Sequence, residues 1–239
     1  MSGLEGGQGG RAVRGEAERD AFVVAHTEVV APRLVPEIAL HLATELTTLW
    51  TVTEAWLAEH AVPPPYWAFA WAGGQALARH VLDHPELVRG RAVVDFASGS
   101  GIVAIAAALA GARRVLASDI DLFALRAIQV NARRAGAHVE AVIEATTRDL
   151  VDDPCAGFEV VLAGDVCYEQ PMSARVLPWL GALARARKAV LVGEPGRTYA
   201  PTAGVEELAR YDVETVADVE GVARKLGRVL RVSGLTPAA

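Results

Sequence analysis

The sequence predicts an α/β protein built on a doubly wound, mostly parallel sheet of seven strands, with an antiparallel C-terminal hairpin and N-terminal helices. Between residues 92 and 193, short runs rich in β-branched residues alternate with alanine-rich runs of helical length. That alternation is typical of a parallel sheet with helices on both faces. A glycine-containing turn joins the first of these strands to its helix. Near the end of the chain two strand-like runs follow each other, which favours an antiparallel hairpin at a sheet edge.

The N-terminal section divides into a tail and a helical segment. Residues 1–19 are rich in glycine, arginine and glutamate, so we expect a flexible tail. Residues 20–72 are expected to form a helical lid, because apolar residues recur at spacings of three and four between Pro36 and His60. The proline run 63–65 ends this pattern, since consecutive prolines cannot continue a helix.

Residues 73–236 carry the α/β pattern and are predicted to form one domain, which a helix at 73–82 opens. The predicted strands occupy residues 92–97, 114–118, 139–144, 158–164, 189–193, 213–219 and 228–232. The predicted helices that separate or follow them occupy residues 102–110, 122–135, 171–187 and 206–210.

The composition excludes several classes of protein. A chain of 239 residues that is 52% hydrophobic can bury a sizeable core, which excludes disorder of the whole chain. The longest apolar run, residues 102–112, is shorter than the roughly 20 residues of a membrane span, so no membrane contact is expected. A net charge of −6 argues against a nucleic-acid partner. Two cysteines without ligand spacing fit a reducing compartment and a protein without a metal. No secretory signal is visible, so we expect a cytoplasmic protein. We expect it to be a monomer or a weak oligomer.

The first chemical signal is the segment from Val93 to Gly101, a buried strand that runs into two glycines and then a helix. Glycine lets the backbone approach a ligand closely, and the helix N-terminus offers free N–H donors. We therefore expect Ala97, Ser98, Gly99 and Gly101 to contact a cofactor. A plain strand-to-helix turn without a ligand is the alternative.

Two classes of cofactor compete for this loop. The glycine spacing matches a variant of the dinucleotide fingerprint, which would make the chain an NAD(P)-dependent oxidoreductase or a non-catalytic nucleotide-binding module. Asp95, at the end of the same strand, argues against a dinucleotide because its carboxylate would repel a pyrophosphate. S-adenosylmethionine carries an ammonium, a sulfonium and no phosphate, so the charge of Asp95 favours that cofactor.

Further acids are expected at the ends of the next two strands. Asp119 lies 24 residues after Asp95, where a carboxylate can accept both ribose hydroxyls, and Ile120 is expected beside it in the cofactor site. Asp121 is the alternative ribose ligand, although it can instead cap the helix that follows. Asp149 is expected to reach the adenine amino group, with a solvated loop acid as the alternative.

The residues that follow the fourth predicted strand are the candidate catalytic group. In an open parallel sheet, ligands collect at the carboxyl ends of strands where the strand order reverses. Asp165, Tyr168 and Glu169 follow this strand and would face the reactive end of the cofactor. Capping of the next helix is the alternative role of Asp165.

Five segments together resemble the seven-stranded class I methyltransferases of the protein-lysine branch, and within it the electron transfer flavoprotein beta-subunit lysine methyltransferases. These segments are residues 74–82, 95–101, 119–121, 163–169 and 193–197. The sequence from Pro64 to Leu77 is similar to the PFWA…W.GGQAL pattern of that family. The likeness covers about residues 35–200 and is specific as a combination.

The resemblance implies a Rossmann-like methyltransferase fold, S-adenosylmethionine as cofactor, and lysines of the electron transfer flavoprotein beta subunit as substrate. It also implies that Trp71 packs near the cofactor and that Gly73 closes over its methionine end. An aromatic face can hold a sulfonium by cation–π attraction, which agrees with that role for Trp71. The chain departs from the family at Ala97, where glycine is usual, at Glu194, where aspartate is frequent, and at Cys167, a frequently aromatic position.

Methyl transfer requires a neutral amine in line with the methyl group, so the main tasks of the protein are positioning and exclusion of water. Asp165 is expected to orient the amine and to accept or relay its proton. Glu54, Tyr66 and Trp67 are expected to bind the substrate at the rim of the site. Methylation of a ribosomal protein or of a small amine at the same site is the alternative within this class.

Overall fold

The computed structural model describes residues 15–44 and 64–234. Its strands are β1 (Glu28–Val30), β2 (Leu40–Leu42), β3 (Ala92–Phe96), β4 (Arg114–Ser118), β5 (Ile143–Thr146), β6 (Val160–Gly164), β7 (Ala189–Glu194), β8 (Val205–Glu214) and β9 (Arg224–Val232). Its α-helices are α1 (Glu16–Ala25), α2 (Ala72–Asp83), α3 (Ile102–Leu109), α4 (Leu122–Ala135), α5 (Ala137–Val142), α6 (Gln170–Arg185) and α7 (Ala217–Glu220).

Seven of these strands form one sheet in the order β5-β4-β3-β6-β7-β9-β8. The five strands β3 to β7 pair in parallel, whereas β9 pairs antiparallel with both β7 and β8. The predicted fold class, a doubly wound mostly parallel sheet with an antiparallel C-terminal hairpin, is confirmed. The strand order reverses between β3 and β6, so this is the place where an open α/β sheet binds its ligands.

Both faces of the sheet are covered, which explains the near-continuous apolar runs of its strands. On one face Val93 of β3 packs with Leu77 of α2 and Ile105 of α3. On the other face its neighbour Val94 packs with Leu180 of α6. Within residues 15–44 and 64–234, no helix is both long and apolar enough to cross a membrane.

Helix α1 begins at Glu16, within the segment predicted to be a flexible tail. A tertiary contact explains the difference, because Asp20 on α1 accepts hydrogen bonds from both Arg126 and Arg133 of α4. The side chain of Arg126 is largely buried beneath these contacts. The helix is therefore anchored by ion pairs that composition alone does not reveal.

Residues 40–42 form a strand where the sequence predicted a helix, and they pair antiparallel with β1. Leu40 and Leu42 point to the core while His41 between them is half-buried, which is the alternation of a strand. The rest of that predicted helix, residues 45–63 with Glu54, lies outside the described residues.

Three other segments differ from the sequence prediction. Residues 137–142 form α5, and β5 begins only at Ile143, so the β-branched Val139 and Val142 belong to a helix. Residues 206–210, predicted to be helical, lie within β8 because they pair with β9 across a hairpin. Of the strand predicted at residues 213–219, only the first two residues belong to β8, and residues 217–220 form α7. These errors concern short segments whose structure depends on the neighbouring element more than on local propensity.

Candidate functional site

A cavity of about 620 Å³ opens at the carboxyl ends of β3, β4 and β6, where the strand order reverses. The predicted site residues that line it are Tyr66, Trp67, Trp71, Ala97, Gly99, Asp119, Ile120, Asp149, Asp165, Tyr168 and Glu169. The predicted cofactor residues that do not line it are Gly73, Asp95, Ser98 and Gly101. The structure therefore brings most of the predicted site together and places a smaller group behind the cavity wall.

The loop between β3 and α3 forms part of that wall. Ala97, Gly99 and Gly101 have φ angles of 54°, 54° and 84°, in the left-handed region that favours glycine. A Cβ added at Gly101 would lie 3.3 Å from the Cα of Ile128, so this glycine allows the loop to pack closely against α4. Of the three, only Ala97 and Gly99 line the cavity itself.

Asp119 follows β4 and is fixed by backbone donors. Its Oδ2 accepts from the N–H of Gly99 (2.9 Å) and its Oδ1 from the N–H of Asp121 (3.0 Å). Burial raises the pKa of this carboxyl, and the two donors oppose that shift. Asp121 itself accepts from the N–H of Phe123 (2.7 Å), so it caps α4. The geometry therefore leaves Asp119 as the preformed acceptor beside the strongly exposed Ile120.

Replacing Asp119 by alanine is expected to raise the dissociation constant for S-adenosylmethionine roughly 10- to 100-fold, because hydrogen bonds to a charged acceptor are lost. Asp149→Ala is the comparison variant. The carboxylate of Asp149 pairs with Arg175 at 2.8 Å and is half exposed, so we expect a smaller effect there. Titration calorimetry on both variants checks this, and an unchanged affinity in Asp119→Ala would contradict it.

Asp95 lies behind the loop and does not reach the cavity. Its Oδ2 accepts from the hydroxyl of Ser98 and from the N–H of Ala104 (3.0 Å), so it ties β3 to the first turn of α3. Burial raises the pKa of Asp95 to about 7, against the effect of those two donors. Its carboxylate thus supports the loop from behind, and Ser98 contributes to the same support.

This buried acid gives a prediction about pH. The carboxyl of Asp95 ionises near 3.8 when unfolded but near 7 when folded, so between these values the folded protein binds the additional proton. Raising the pH through this interval therefore favours the unfolded state. We expect the free energy of unfolding of the cofactor-free protein to fall, relative to that of Asp95→Asn, as the pH rises from about 4 to about 7. Urea denaturation across this range checks it, and a constant difference would refute it.

Asp165 follows β6 with a φ of 54° and is 8% exposed at its side chain. Its Oδ2 accepts from the N–H of Gly74 (2.8 Å), and its Oδ1 accepts from Arg197 (3.1 Å). Burial raises its pKa to about 6, although the charge of Arg197 acts in the opposite direction. It does not cap α6, whose N-cap residue is Glu169. The carboxylate is thus held at the cavity wall with defined orientation.

The aromatic residues of the sequence divide between the cavity and the core. The rings of Tyr66 and Tyr168 lie 5.5 Å apart at the cavity, and Tyr66 also contacts the edge of Trp71. Burial raises the pKa of Tyr168 to about 12, which keeps its hydroxyl protonated. Trp67 is 3% exposed and stacks on Phe123, so most of its side chain serves core packing.

Gly73 lies in the first turn of α2, outside the cavity lining. A Cβ at this position would lie 2.4 Å from the carbonyl oxygen of Gly193 and 2.6 Å from Oδ2 of Asp165. The glycine therefore permits α2 to approach β7 and the buried carboxylate.

Two further residues bear on the site although the sequence prediction did not select them: Arg197, which lines the cavity, and Glu220, which contacts Arg197 without lining the cavity. Arg197 lines the cavity, pairs with Asp165 and Glu220 at 3.1 Å each, and places its guanidinium carbon 5.6 Å from the centre of the Trp71 ring. Its backbone N–H donates to Glu194, which shapes the turn after β7. The segment 193–197 carried a signal for Arg197, whereas nothing near Glu220 in the sequence pointed to this contact.

A doubly wound seven-stranded sheet, an antiparallel terminal hairpin and an acid-rich cavity at the switch point define a class I S-adenosylmethionine-dependent methyltransferase. The electron transfer flavoprotein beta subunit lysine methyltransferase of Danio rerio is 37% identical over 179 residues, covering 74% of this chain and 67% of that protein. The human protein is 38% identical over 184 residues, with coverage of 76% and 68%. The Caenorhabditis elegans homolog is 34% identical over 203 residues, with coverage of 80% and 81%. The chain belongs to this family of lysine methyltransferases.

Other comparisons agree on the class. A family model for ribosomal protein L11 methyltransferase matches residues 76–164. The ribosomal protein L11 methyltransferase of Staphylococcus aureus is 40% identical over 76 residues, which are 32% of this chain and 24% of that protein. A crystal structure from Pyrococcus horikoshii, proposed to be an RNA methyltransferase, shares the fold with a TM-score of 0.54 at 14% identity, covering 77% of this chain and 98% of that one. The methyltransferase prediction is confirmed, and an oxidoreductase or a non-catalytic module is not favoured.

S-adenosylmethionine is the cofactor of this enzyme, and the residues present fit it. Asp119 offers a fixed carboxylate for vicinal hydroxyls, and the backbone at Gly99 is open to the cavity. The cavity also presents the carboxylates of Asp149, Asp165 and Glu169, which suit a cationic ligand better than a pyrophosphate.

Proposed function

We propose that this enzyme N-methylates lysine side chains of the electron transfer flavoprotein beta subunit. The observation that carries the lysine chemistry is the buried carboxylate of Asp165, oriented at the cavity end of β6 where an amine would meet the cofactor. The substrate follows from the relatives, since those named for this activity match most of the chain. Family membership thus supports the protein partner, and the geometry of Asp165 supports lysine as the reacting group.

The first task of the chain is to present a neutral amine. S-adenosylmethionine supplies an electrophilic methyl group, which the amine nitrogen takes from a sulfur that becomes a neutral thioether. A lysine ammonium has a pKa near 10.4 and must lose a proton before its nitrogen can form that bond. We propose that Asp165 orients the amine and accepts or relays the proton, and its folded pKa of about 6, above the ordinary value, supports this role.

The second task is to exclude water and align the reactants. Tyr66, Trp71 and Tyr168 supply adjoining aromatic rings beside Asp165, and apolar walls of this kind replace water around the reacting groups. Glu169 is exposed at the mouth, where it can meet a basic side chain of the substrate. We propose that residues 20–72 act as a lid over substrate and cofactor, with Glu54 as a further contact.

The test incubates the purified enzyme with each of two candidate substrates and with S-adenosylmethionine labelled in its methyl group. We expect label in the electron transfer flavoprotein beta subunit, and mass spectrometry to place the added methyl groups on lysine. A beta subunit with those lysines replaced by arginine is the control and should stay unlabelled. Ribosomal protein L11 is the second candidate, because part of the chain matches the enzymes named for it. Label in L11 alone would overturn the proposal.

A further inference from the structure

The side chain of Arg197, which lines the cavity, places one nitrogen between two buried carboxylates, of which Asp165 lines the cavity and Glu220 lies behind Arg197. Nη2 of Arg197 is 3.1 Å from Oδ1 of Asp165 and 3.1 Å from Oε2 of Glu220. The face of Trp71 lies beneath the same guanidinium. The side chain of Glu220 is only 4% exposed, so its charge depends on protein partners rather than on water.

This environment also suits an alkylammonium. Carboxylates and an aromatic face are the groups that recognise ammonium cations, and an ammonium carries its three donors on a single atom. Arg197 distributes its donors over three nitrogens, and its Nε is buried without a hydrogen-bond partner among the described residues. The guanidinium therefore satisfies the two carboxylates through Nη2 while leaving another of its own donors unsatisfied.

We propose that Trp71, Asp165 and Glu220 form the subsite for the substrate ammonium, and that Arg197 fills this subsite until the substrate displaces it. The proposal rests on the proposed lysine methylation and identifies the groups that would receive the side chain. The backbone of Arg197 is held by Glu194, so the displacement requires movement of the side chain alone.

The exchange of one cation for another explains how the subsite would select its substrate. Removing Arg197 without replacement would leave two buried carboxylates with less compensating charge, because among the described residues Lys225 forms an ion pair with Glu220 but not with Asp165. An incoming ammonium restores the balance, whereas a neutral hydroxyl or thiol does not. After docking, the proton released from nitrogen passes to a carboxylate that the ammonium already contacts, and the nitrogen lone pair becomes free to bond to carbon.

The test measures binding of n-butylammonium, a minimal lysine side chain, in the presence of S-adenosylhomocysteine so that no methyl transfer occurs. By calorimetry, we expect Arg197→Gln to bind n-butylammonium at least tenfold more tightly than the unaltered enzyme does. The affinity for n-butanol should be the same in both proteins. Arg175→Gln is the matched control, because Arg175 also lines the cavity but pairs with Asp149 away from Trp71. Arg197→Lys should restore weak binding, since its own ammonium would fill the subsite.

Equal binding by Arg197→Gln and the unaltered enzyme, with S-adenosylhomocysteine still bound, would overturn the proposal, as would an equal gain in Arg175→Gln. If Arg197→Gln fails to fold, the Glu220→Gln variant tests the proposal instead. It should raise the KM for the amine substrate without weakening cofactor binding, and an unchanged KM would overturn the subsite. If n-butylammonium behaves as expected while the flavoprotein subunit stays unmethylated, the subsite is supported and only the proposed protein substrate fails.

Discussion

Gly73→Ala is expected to lower the free energy of unfolding by about 3 kcal/mol and to abolish methyl transfer, because the added methyl group would overlap neighbouring atoms. The added Cβ would lie 2.4 Å from a backbone oxygen of β7 and 2.6 Å from the carboxylate of Asp165. The opposing residue shows the same constraint, since a Cβ at Gly193 would lie 2.1 Å from the oxygen of Gly73. Helix α2 would have to move away from the sheet, taking the N–H of Gly74 from Asp165.

Gly74→Ala is the matched control, one position along the same helix. A Cβ there would meet only Cγ2 of Ile102, at an ordinary contact distance of 3.6 Å. The backbone N–H that binds Asp165 is retained, and alanine is favoured over glycine in a helix by up to ~1 kcal/mol. Urea denaturation and initial rates on both variants give the comparison. Equal losses in the two would show that the close approach of α2 to β7 is not the cause.

Asp165→Asn is expected to reduce turnover by about 100- to 10,000-fold while cofactor affinity stays unchanged, because proton acceptance is lost with the shape retained. We expect the acid form of Asp165 to be inactive in the unaltered enzyme, so the rate should fall as the pH drops through about 6. That acid limb should be missing from the residual activity of the variant. Turnover equal to that of the unaltered enzyme would remove Asp165 from the mechanism.

Glu169→Gln separates this role from a general effect of charge near the cavity. Glu169 is exposed at the mouth and begins α6, whereas Asp165 is buried at the wall. We therefore expect the change at Glu169 to affect the KM for the protein substrate more than the turnover number. A loss of turnover as large as that of Asp165→Asn would mean that the two carboxylates act together.

The sheet was predictable because its central strands are buried on both faces and therefore read as apolar runs with clear ends. The same ends located Asp119 and Asp165, since the carboxyl ends of parallel strands meet at one edge. The sequence could not show which way the side chain of each acid points. Asp95 lies near the carboxyl end of β3, as Asp119 lies just after β4, yet its side chain turns toward α3 and away from the cavity.

Contacts between residues that are far apart in the sequence were also not predictable. Glu220 reaches Arg197 only because β9 brings the C-terminal hairpin beside β7, and no spacing in the sequence encodes that contact. The pairing of β1 with β2 is similar, since a three-residue strand has little propensity of its own and depends on its partner. Local patterns therefore predicted the framework, and tertiary contacts determined which groups surround the reacting atoms.

The position of β9 has a consequence for the order in which the enzyme becomes competent during synthesis. Although it follows β8 in the chain, β9 lies inside the sheet, between β7 and β8, and its Arg228 pairs with the fully buried Glu194. A nascent chain that has emerged only through β8 therefore cannot complete the sheet or bring Glu220 to Arg197 in its final setting. Methyl transfer therefore depends on the pairing of β9 with β7, because this pairing both completes the sheet and brings Glu220 to Arg197.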